Sequence, residues 1–231
     1  MPETSKTAGQ ALRLLLALGD GGASVAELTR RLGMHRTVVQ RLLSTLREHG
    51  FVHRTPGGDY ELGMTLVELA TRVDNPVRRA ARQPMLTLFE RVSETVALTV
   101  REGDDAVSAD QLVVPGRLVR AEYPPGFRHP LDRAAAGRAI LAFADPATVA
   151  RLGRPDDPDL ADIRRRGYAV TSNELSEGAA GLAAPVLGAA GYAVASVGVV
   201  APADRFPPEA ELAGPVVEAA GRISELLRAA G

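Results

Sequence analysis

The chain has 231 residues, of which 45% are hydrophobic and 24% charged, and its formal net charge is −1. This composition is typical of a globular protein with one large or two modest domains, and it excludes a uniformly basic nucleic-acid coat and an acidic disordered tail. Cysteine is absent, which excludes disulfide scaffolds, cysteine-ligated metal sites and thiol nucleophiles. Because no apolar run reaches the ~18 residues of a membrane helix and no signal-peptide pattern opens the chain, we expect a soluble, cytoplasmic protein.

Charge is unevenly distributed along the chain. Residues 1–60 contain eight Lys or Arg against five Asp or Glu, so their net charge is +3. The remainder contains 19 basic against 23 acidic residues, so its net charge is −4. A small basic segment followed by a larger acidic one predicts two domains with different partners.

Three helices are predicted in the basic segment. Apolar residues recur at helical spacing over 7–18. Ser24 and Glu27 match a capping box that opens a second helix, and Gly33 ends it, because glycine readily adopts the left-handed conformation after a helix. A third helix is predicted over 35–49, with an aliphatic stripe that packs against the other two.

The third helix also has a polar face, whose hydroxyl, amide and guanidinium groups can bond phosphates and base edges in a major groove. Two short extended runs around Pro56-Gly57-Gly58 predict a hairpin, so the plan is that of a winged helix-turn-helix. The alternative is a generic helical subdomain with a solvated polar face. The candidate DNA-binding residues are His35, Arg36, Thr37, Gln40, Arg41, Ser44 and Arg47 on the helix and His53 and Arg54 on the hairpin.

A linker helix and a larger domain are predicted next. Helical periodicity over 64–73 ends at Asp74-Asn75-Pro76, since the residue before a proline disfavours helix, and we place the domain boundary there. In the helical stripe that follows, Pro84 predicts a kink or a new start. From Thr95 the apolar period changes to two, which is typical of a half-buried strand. The remaining predicted elements mix helices with hairpin-linked strands and indicate an α+β domain: strands over 107–114, 118–123, 168–171, 182–187 and 192–200, and helices over 134–143, 159–166 and from Pro207-Pro208 to about 230.

The stretch SVAELTRRLGMHRTVVQRLLSTLREHGFVHRTPGGDYELG resembles the DNA-binding region of the IclR (isocitrate-lyase regulator) family of bacterial transcription factors. The runs Leu131–Ala139 and Gly167–Val186 are similar to later signatures of that family, so the resemblance spans about residues 5–230. The fold that it implies is a winged helix-turn-helix DNA-binding domain over 1–63, a linker helix over 64–75, and a GAF-like α+β effector-binding domain over 76–231, an antiparallel sheet flanked by helices.

In that family the second domain is a receptor for small organic metabolites. The resemblance implies a pocket in which the backbone near the start of the 134–143 helix holds an anion. Glycine and valine stand where carboxylate-binding members carry hydroxyl or thiol groups, and Asp132 stands where a histidine is common, so we expect a larger or more apolar effector, such as an aromatic or apolar acid. The alternatives are that the small residues only let strands pack, or that the pocket binds nothing. The implied lining is Ala135, Ala136, Glu174, Gly181, Leu182, Gly198 and Val200.

These features together predict a ligand-responsive transcriptional regulator. We expect a repressor that binds a palindromic operator as a homodimer, since two half-sites require twofold symmetry, and the resemblance also allows a homotetramer. The linker helix would transmit effector occupancy to the DNA-binding domains. No catalytic, metal or cofactor motif is found in the sequence, so no enzyme activity, metal or cofactor is expected, and a small-molecule-binding enzyme is the alternative class.

Overall fold

The computed structural model describes residues 4–73, 75–116, 121–152 and 157–230. The chain forms two compact units, Met1–Asp74 and Asn75–Gly231. No helix in the described ranges is long and apolar enough to cross a membrane. Most of the strand predicted over 118–123 lies outside the described residues, and residues 121–123 form no strand.

The first unit contains the three predicted helices and the predicted hairpin, followed by a fourth, short helix. Ser24 and Glu27 form the expected capping box, with Ser24 N–H donating to Glu27 Oε2 at 2.9 Å and Glu27 N–H donating to Ser24 Oγ at 3.3 Å. Gly33 ends the second helix with a left-handed φ of 61°. Leu14, Leu28 and other aliphatic side chains from the first three helices form one buried core. The elements are α1 (Lys6–Leu18), α2 (Val25–Leu32), α3 (Arg36–Glu48), β1 (Val52–Arg54), β2 (Tyr60–Leu62) and α4 (Thr65–Thr71).

The helix predicted over 64–73 is shorter in the structure, because α4 covers only Thr65–Thr71. None of the residues of α4 is buried. Val67 and Leu69 are exposed, as is Met64 just before the helix. The apolar residues of α4 are therefore not part of the core of the first unit.

The second unit contains an antiparallel sheet whose strands, within the described residues, have the order β5-β4-β3-β8-β7-β6. A helix predicted to kink or restart at Pro84 continues through that proline as α5. Helix α7 and strand β5 were not predicted from the sequence. The elements are α5 (Pro76–Val92), β3 (Thr95–Glu102), β4 (Asp105–Leu112), β5 (Arg128–Pro130), α6 (Ala134–Ala142), α7 (Pro146–Leu152), α8 (Pro158–Arg166), β6 (Ala169–Ser172), β7 (Ala179–Leu187), β8 (Ala193–Pro202) and α9 (Glu209–Ala230).

Helices cover both faces of this sheet. Helices α5 and α9 bury one face in a cluster that includes Leu98, Val197 and Ile223. Helix α6 packs on the opposite face in a second cluster, with Ala135 and Ala139 at its contact. The prediction of a half-buried strand at Thr95 was therefore wrong, because the first six residues of β3 are all buried.

Candidate functional site

The first turn of α3 is fixed by its own capping residue. His35 stands at the N-cap, where its Nδ1 accepts from the Thr37 N–H at 3.4 Å and lies 2.9 Å from the Thr37 hydroxyl. Both side chains are exposed. The cap satisfies one of the orphan N–H groups of the helix. The next residue, Arg36, is exposed.

The polar face of α3 is exposed along its length. Gln40 and Ser44 are exposed between the arginines, while Val39 and Leu43 on the other face are buried. Within the described residues, no carboxylate lies within salt-bridge distance of the three guanidiniums on this helix. These guanidiniums, of Arg36, Arg41 and Arg47, are therefore available to bind external anions.

The two candidate residues on the hairpin are exposed but already have partners. His53 pairs across the hairpin with Glu61, and its Nε2 lies 3.3 Å from Glu61 Oε2. Arg54 donates from Nε to the Gly58 carbonyl at 3.1 Å, and its guanidinium lies 5.9 Å from the ring centroid of Tyr60. A phosphate contact by either side chain would compete with a contact inside the hairpin, which distinguishes these residues from those of α3.

A cavity lies between α6 and the sheet face that α6 covers, and its lining is mostly apolar. The structure brings all seven predicted pocket residues to its wall. One of them contributes differently from the prediction, because the side chain of Leu182 is fully buried in the core beneath α5 and α9. The seven are Ala135, Ala136, Glu174, Gly181, Leu182, Gly198 and Val200.

The two glycines in this wall have different physical roles. A Cβ on Gly181 would meet ordinary contacts, the nearest being the Val199 carbonyl oxygen at 3.5 Å and Ala135 Cβ at 3.8 Å. A Cβ on Gly198 would lie 2.4 Å from the Leu182 carbonyl oxygen and 2.7 Å from Ala183 Cβ. Gly181 therefore leaves room in the cavity, whereas the close approach of β7 to β8 accounts for Gly198.

Groups of this chain bind the N-terminus of α6. The Ala134 N–H donates to Glu174 Oε2 at 2.6 Å, and the Ala135 N–H donates to Thr171 Oγ1 at 2.9 Å. Glu174 Oε1 also lies 3.2 Å from a guanidinium nitrogen of Arg138. The expected anion-binding backbone at Ala135 is thus engaged by a hydroxyl, and Ala134 holds a left-handed φ of 60° beside it.

Sequence reasoning missed a second wall, to which Tyr123, Phe127 and His129 contribute. Tyr123 and Phe127 stack there with ring centroids 4.9 Å apart and an interplanar angle of 26°. His129 lies 6.2 Å from Phe127, and burial lowers the pKa of its imidazole. Thr99 and Ser108 add hydroxyl groups to the lining. The density of aromatic residues over 123–129, in a chain that is only 4% aromatic, was the available signal.

Comparisons with known proteins match both units. A MarR family model matches residues 7–59, and the model of the bacterial transcriptional regulator IclR C-terminal region matches residues 70–154 and 157–225. The HTH-type transcriptional regulator Rv1719 of Mycobacterium tuberculosis is 37% identical over 224 residues, covering 90% of this chain and 85% of the relative.

Solved structures share the same architecture. An IclR transcriptional regulator from Alicyclobacillus acidocaldarius has a TM-score of 0.83 at 25% identity, covering 97% of this chain and 99% of that one. An IclR homologue from Microbacterium hydrocarbonoxydans, in complex with 4-hydroxybenzoate, has a TM-score of 0.82 at 22% identity, covering 97% and 100%. The fold of a helix-turn-helix unit followed by an α+β unit is therefore shared over nearly the whole chain.

Proposed function

Because the chain belongs to the IclR family of bacterial transcriptional regulators, we propose that it represses transcription by binding a palindromic operator as a dimer, and that a small organic effector releases it. Its relatives and structural neighbours are transcriptional regulators rather than enzymes. The DNA-binding residues would be those on the polar face of α3, with His53 and Arg54 at the hairpin contacting the backbone of the duplex.

The observation that supports this use of α3 best is its set of guanidiniums without carboxylate partners. Arg36, Arg41 and Arg47 lie on one exposed helix, and no acidic side chain in the described part of the chain neutralises them. Arginine recognises guanine edges bidentately and also binds phosphates, so a helix with this face suits a major groove. Gln40 and Ser44 lie between the arginines and supply uncharged hydrogen-bonding groups.

Exposed apolar residues in the first unit support the dimer. Leu12 and Leu16 on α1 are 60% and 76% exposed, and Val67 on α4 is 53% exposed. Apolar side chains left this open favour association with another surface. Twofold pairing of two such units would present two recognition helices to two half-sites. A tetramer would bring two of these dimers together.

The cavity of the second unit supports the effector. Its mostly apolar lining, with a few polar groups, suits a small organic molecule of aromatic or apolar character. The structural neighbour from Microbacterium hydrocarbonoxydans, which is in complex with 4-hydroxybenzoate, supports an aromatic ligand. Release from DNA requires the effector to bind the free and DNA-bound forms with different affinity, and such couplings are typically about 1–3 kcal/mol. We propose that α4 carries this coupling.

Fluorescence anisotropy with the intergenic DNA beside the gene tests the proposal. Arg41→Ala should weaken binding by about 1–3 kcal/mol if the guanidinium reads a base, and should relax the preference at one position. The matched control is Arg228→Ala, which removes the same charge from the last turn of α9, in the second unit. Equal affinities for wild type and Arg41→Ala, or an equal loss in the control, would contradict the role of α3.

A further inference from the structure

We propose that Thr99 is a specificity-determining residue of the cavity, and that its buried hydroxyl, together with the neighbouring Ser108 hydroxyl, binds a hydroxyl group on the ring of an aromatic effector. This inference rests on the proposed function in taking the cavity as the effector site. It adds the polar group by which the cavity would select one aromatic compound among others.

Thr99 belongs to a row of three buried hydroxyls on the sheet face that α6 covers. Thr99 on β3 lies opposite Ser108 on β4 and opposite Ser196 on β8. Thr99 and Ser108 are each 5% exposed, and both line the cavity. Side chains that face each other across neighbouring antiparallel strands have Cβ atoms about 4.5–5.5 Å apart. A single small group in the cavity can therefore reach the Thr99 and Ser108 hydroxyls together.

The two outer hydroxyls of this row have partners within the chain, whereas the middle one does not. Ser108 Oγ donates to the Tyr123 carbonyl at 2.7 Å, and Ser196 Oγ donates to the Ala136 carbonyl at 3.0 Å. Among the residues that the structure describes, none forms a hydrogen bond with the Thr99 hydroxyl. A buried hydroxyl without a partner is costly, so a water molecule or a ligand group is needed beside Thr99.

The two hydroxyls at the cavity wall differ in what they offer to a ligand. A carbonyl oxygen can only accept, so the proton of Ser108 is used by Tyr123 and its Oγ offers lone pairs alone. Thr99 offers both a proton and lone pairs. A ligand hydroxyl matches this pair, because it can donate to Ser108 Oγ and accept from Thr99 at the same time. A methyl group in the same place would displace water and leave the Thr99 hydroxyl without a partner.

A β-bulge brings these two side chains together. The pairing of β3 with β4 shifts by one residue, so that Leu98 lies opposite Asp110 whereas Thr99 lies opposite Ser108. With regular pairing Thr99 would lie opposite Ala109, which has no hydroxyl. Bulges re-aim side chains and are over-represented next to functional sites. The local irregularity of the sheet therefore creates the polar pair.

An aromatic surface lies beside this polar pair. The Ser108 N–H donates to the Phe127 carbonyl at 2.9 Å, and Ser108 Oγ binds the Tyr123 carbonyl. The rings of Tyr123 and Phe127 stack with centroids 4.9 Å apart, and both residues line the cavity. Aromatic rings pack favourably in offset-stacked or edge-to-face arrangements. A ligand ring on this surface can therefore carry a hydroxyl substituent to Ser108 and Thr99.

Calorimetric titration of the full chain with 3-hydroxybenzoate, 4-hydroxybenzoate and their methyl counterparts, 3-methylbenzoate and 4-methylbenzoate, tests this inference. Hydroxyl and methyl substituents are similar in size and all four probes carry the same carboxylate, so the affinity ratio within a pair isolates the hydrogen bonds of the substituent. For at least one pair we expect wild type to bind the hydroxyl probe at least about tenfold more tightly, because the methyl probe leaves the Thr99 hydroxyl buried without a partner.

Three variants assign this preference to the Thr99 hydroxyl. Thr99→Val removes the hydroxyl but keeps the branched shape, so the preference should fall to about twofold or less. Thr99→Ser retains a hydroxyl and should retain most of the preference. The matched control is Thr95→Val, the same change on the same strand at a residue that is 3% exposed and is not among the described residues lining the cavity. It should keep the wild-type ratio, and a general loss of affinity in any variant would leave the ratio unchanged.

Equal binding of the hydroxyl and methyl probes by wild type, an unchanged ratio in Thr99→Val, or the same loss of preference in Thr95→Val would overturn the inference. So would the failure of both hydroxyl probes to bind wild type. Operator binding is measured separately and without probe, so its failure would refute the regulator proposal and leave the assignment of Thr99 intact.

Discussion

Replacing Gly198 by alanine should destabilise the second unit, whereas the same change at Gly181 should not. Both glycines lie in neighbouring strands of the same sheet and line the same cavity. The added methyl group at Gly198 would lie 2.4 Å from the Leu182 carbonyl oxygen, against 3.4–4 Å for an ordinary contact. Strands β7 and β8 would have to separate by about 1 Å to accommodate it, so their packing and hydrogen bonds would be disturbed.

The size of the effect follows from the cost of overpacking. Inserting a methyl group where backbone must move costs about 1–3 kcal/mol, which for a unit of this length lowers the melting temperature by about 2–12 °C. At Gly181 the nearest atom would be 3.5 Å away, an ordinary contact. Because alanine also restricts the unfolded chain, Gly181→Ala should be neutral or stabilising by up to about 1 kcal/mol.

Differential scanning calorimetry of the full chain measures both variants, since it can separate the transitions of two units that unfold independently. We expect the melting temperature of the second unit to fall in Gly198→Ala. In Gly181→Ala we expect it to stay the same or to rise slightly. Equal shifts in the two variants would refute the close approach of β7 to β8 and would restore the view that both glycines only enlarge the cavity.

Two further predictions concern strain and charge in the second unit. The left-handed φ of Ala134 costs about 1–2 kcal/mol, so Ala134→Gly should leave the melting temperature unchanged or raise it. The control Ala139→Gly, in the buried middle of α6, should lower the free energy of unfolding by about 2 kcal/mol. Equal losses of stability in the two variants, measured by calorimetry, would argue against the strain. Hydrogen bonds from the Thr148 hydroxyl and N–H, and then from Arg101, hold the pKa of Asp145 below its ordinary 3.8. A carboxyl group whose pKa is lowered by folding stabilises the folded state at pH values above its unfolded pKa, and this stabilisation is lost as the pH falls towards the lower folded pKa. The advantage of wild type over Asp145→Asn in melting temperature should therefore shrink between pH 5 and about 3. A constant difference would exclude this linkage.

The elements that sequence reasoning predicted are those whose signals are local. The capping box of Ser24 and Glu27 and the polar face of α3 depend on spacing within one helix, and both are found in the structure. Strand β3 was misread because Ala97 and Thr99 alternate with larger aliphatic residues, which gives an apparent polar face that α6 in fact covers. Helix α7 had a usable signal in Asp145, which accepts from the Thr148 N–H at 3.0 Å at the start of that helix.

The site was harder to predict than the fold because its decisive contacts join distant parts of the chain. The resemblance located the cavity wall, but a list of positions does not show which way a strand residue faces, and Leu182 faces the other core. The aromatic pair of Tyr123 and Phe127 is placed by hydrogen bonds to Ser108, which lies at least 15 residues earlier in the chain. No periodicity marks such a segment, so only tertiary structure could assign it to the cavity.

The arginines show why composition alone could not assign the partners of the two units. A net charge of +3 over residues 1–60 is modest, and the second unit also contains many guanidiniums. There Arg101 lies 3.0 Å from Asp145 and Arg138 lies 3.1 Å from Asp159, so phosphate binding by these side chains would first require breaking an ion pair. In the described residues Arg41 on α3 has no such partner, and its guanidinium gains a phosphate or a base edge without losing a carboxylate. The absence of carboxylate partners around Arg41 therefore supports the proposal that α3 contacts DNA.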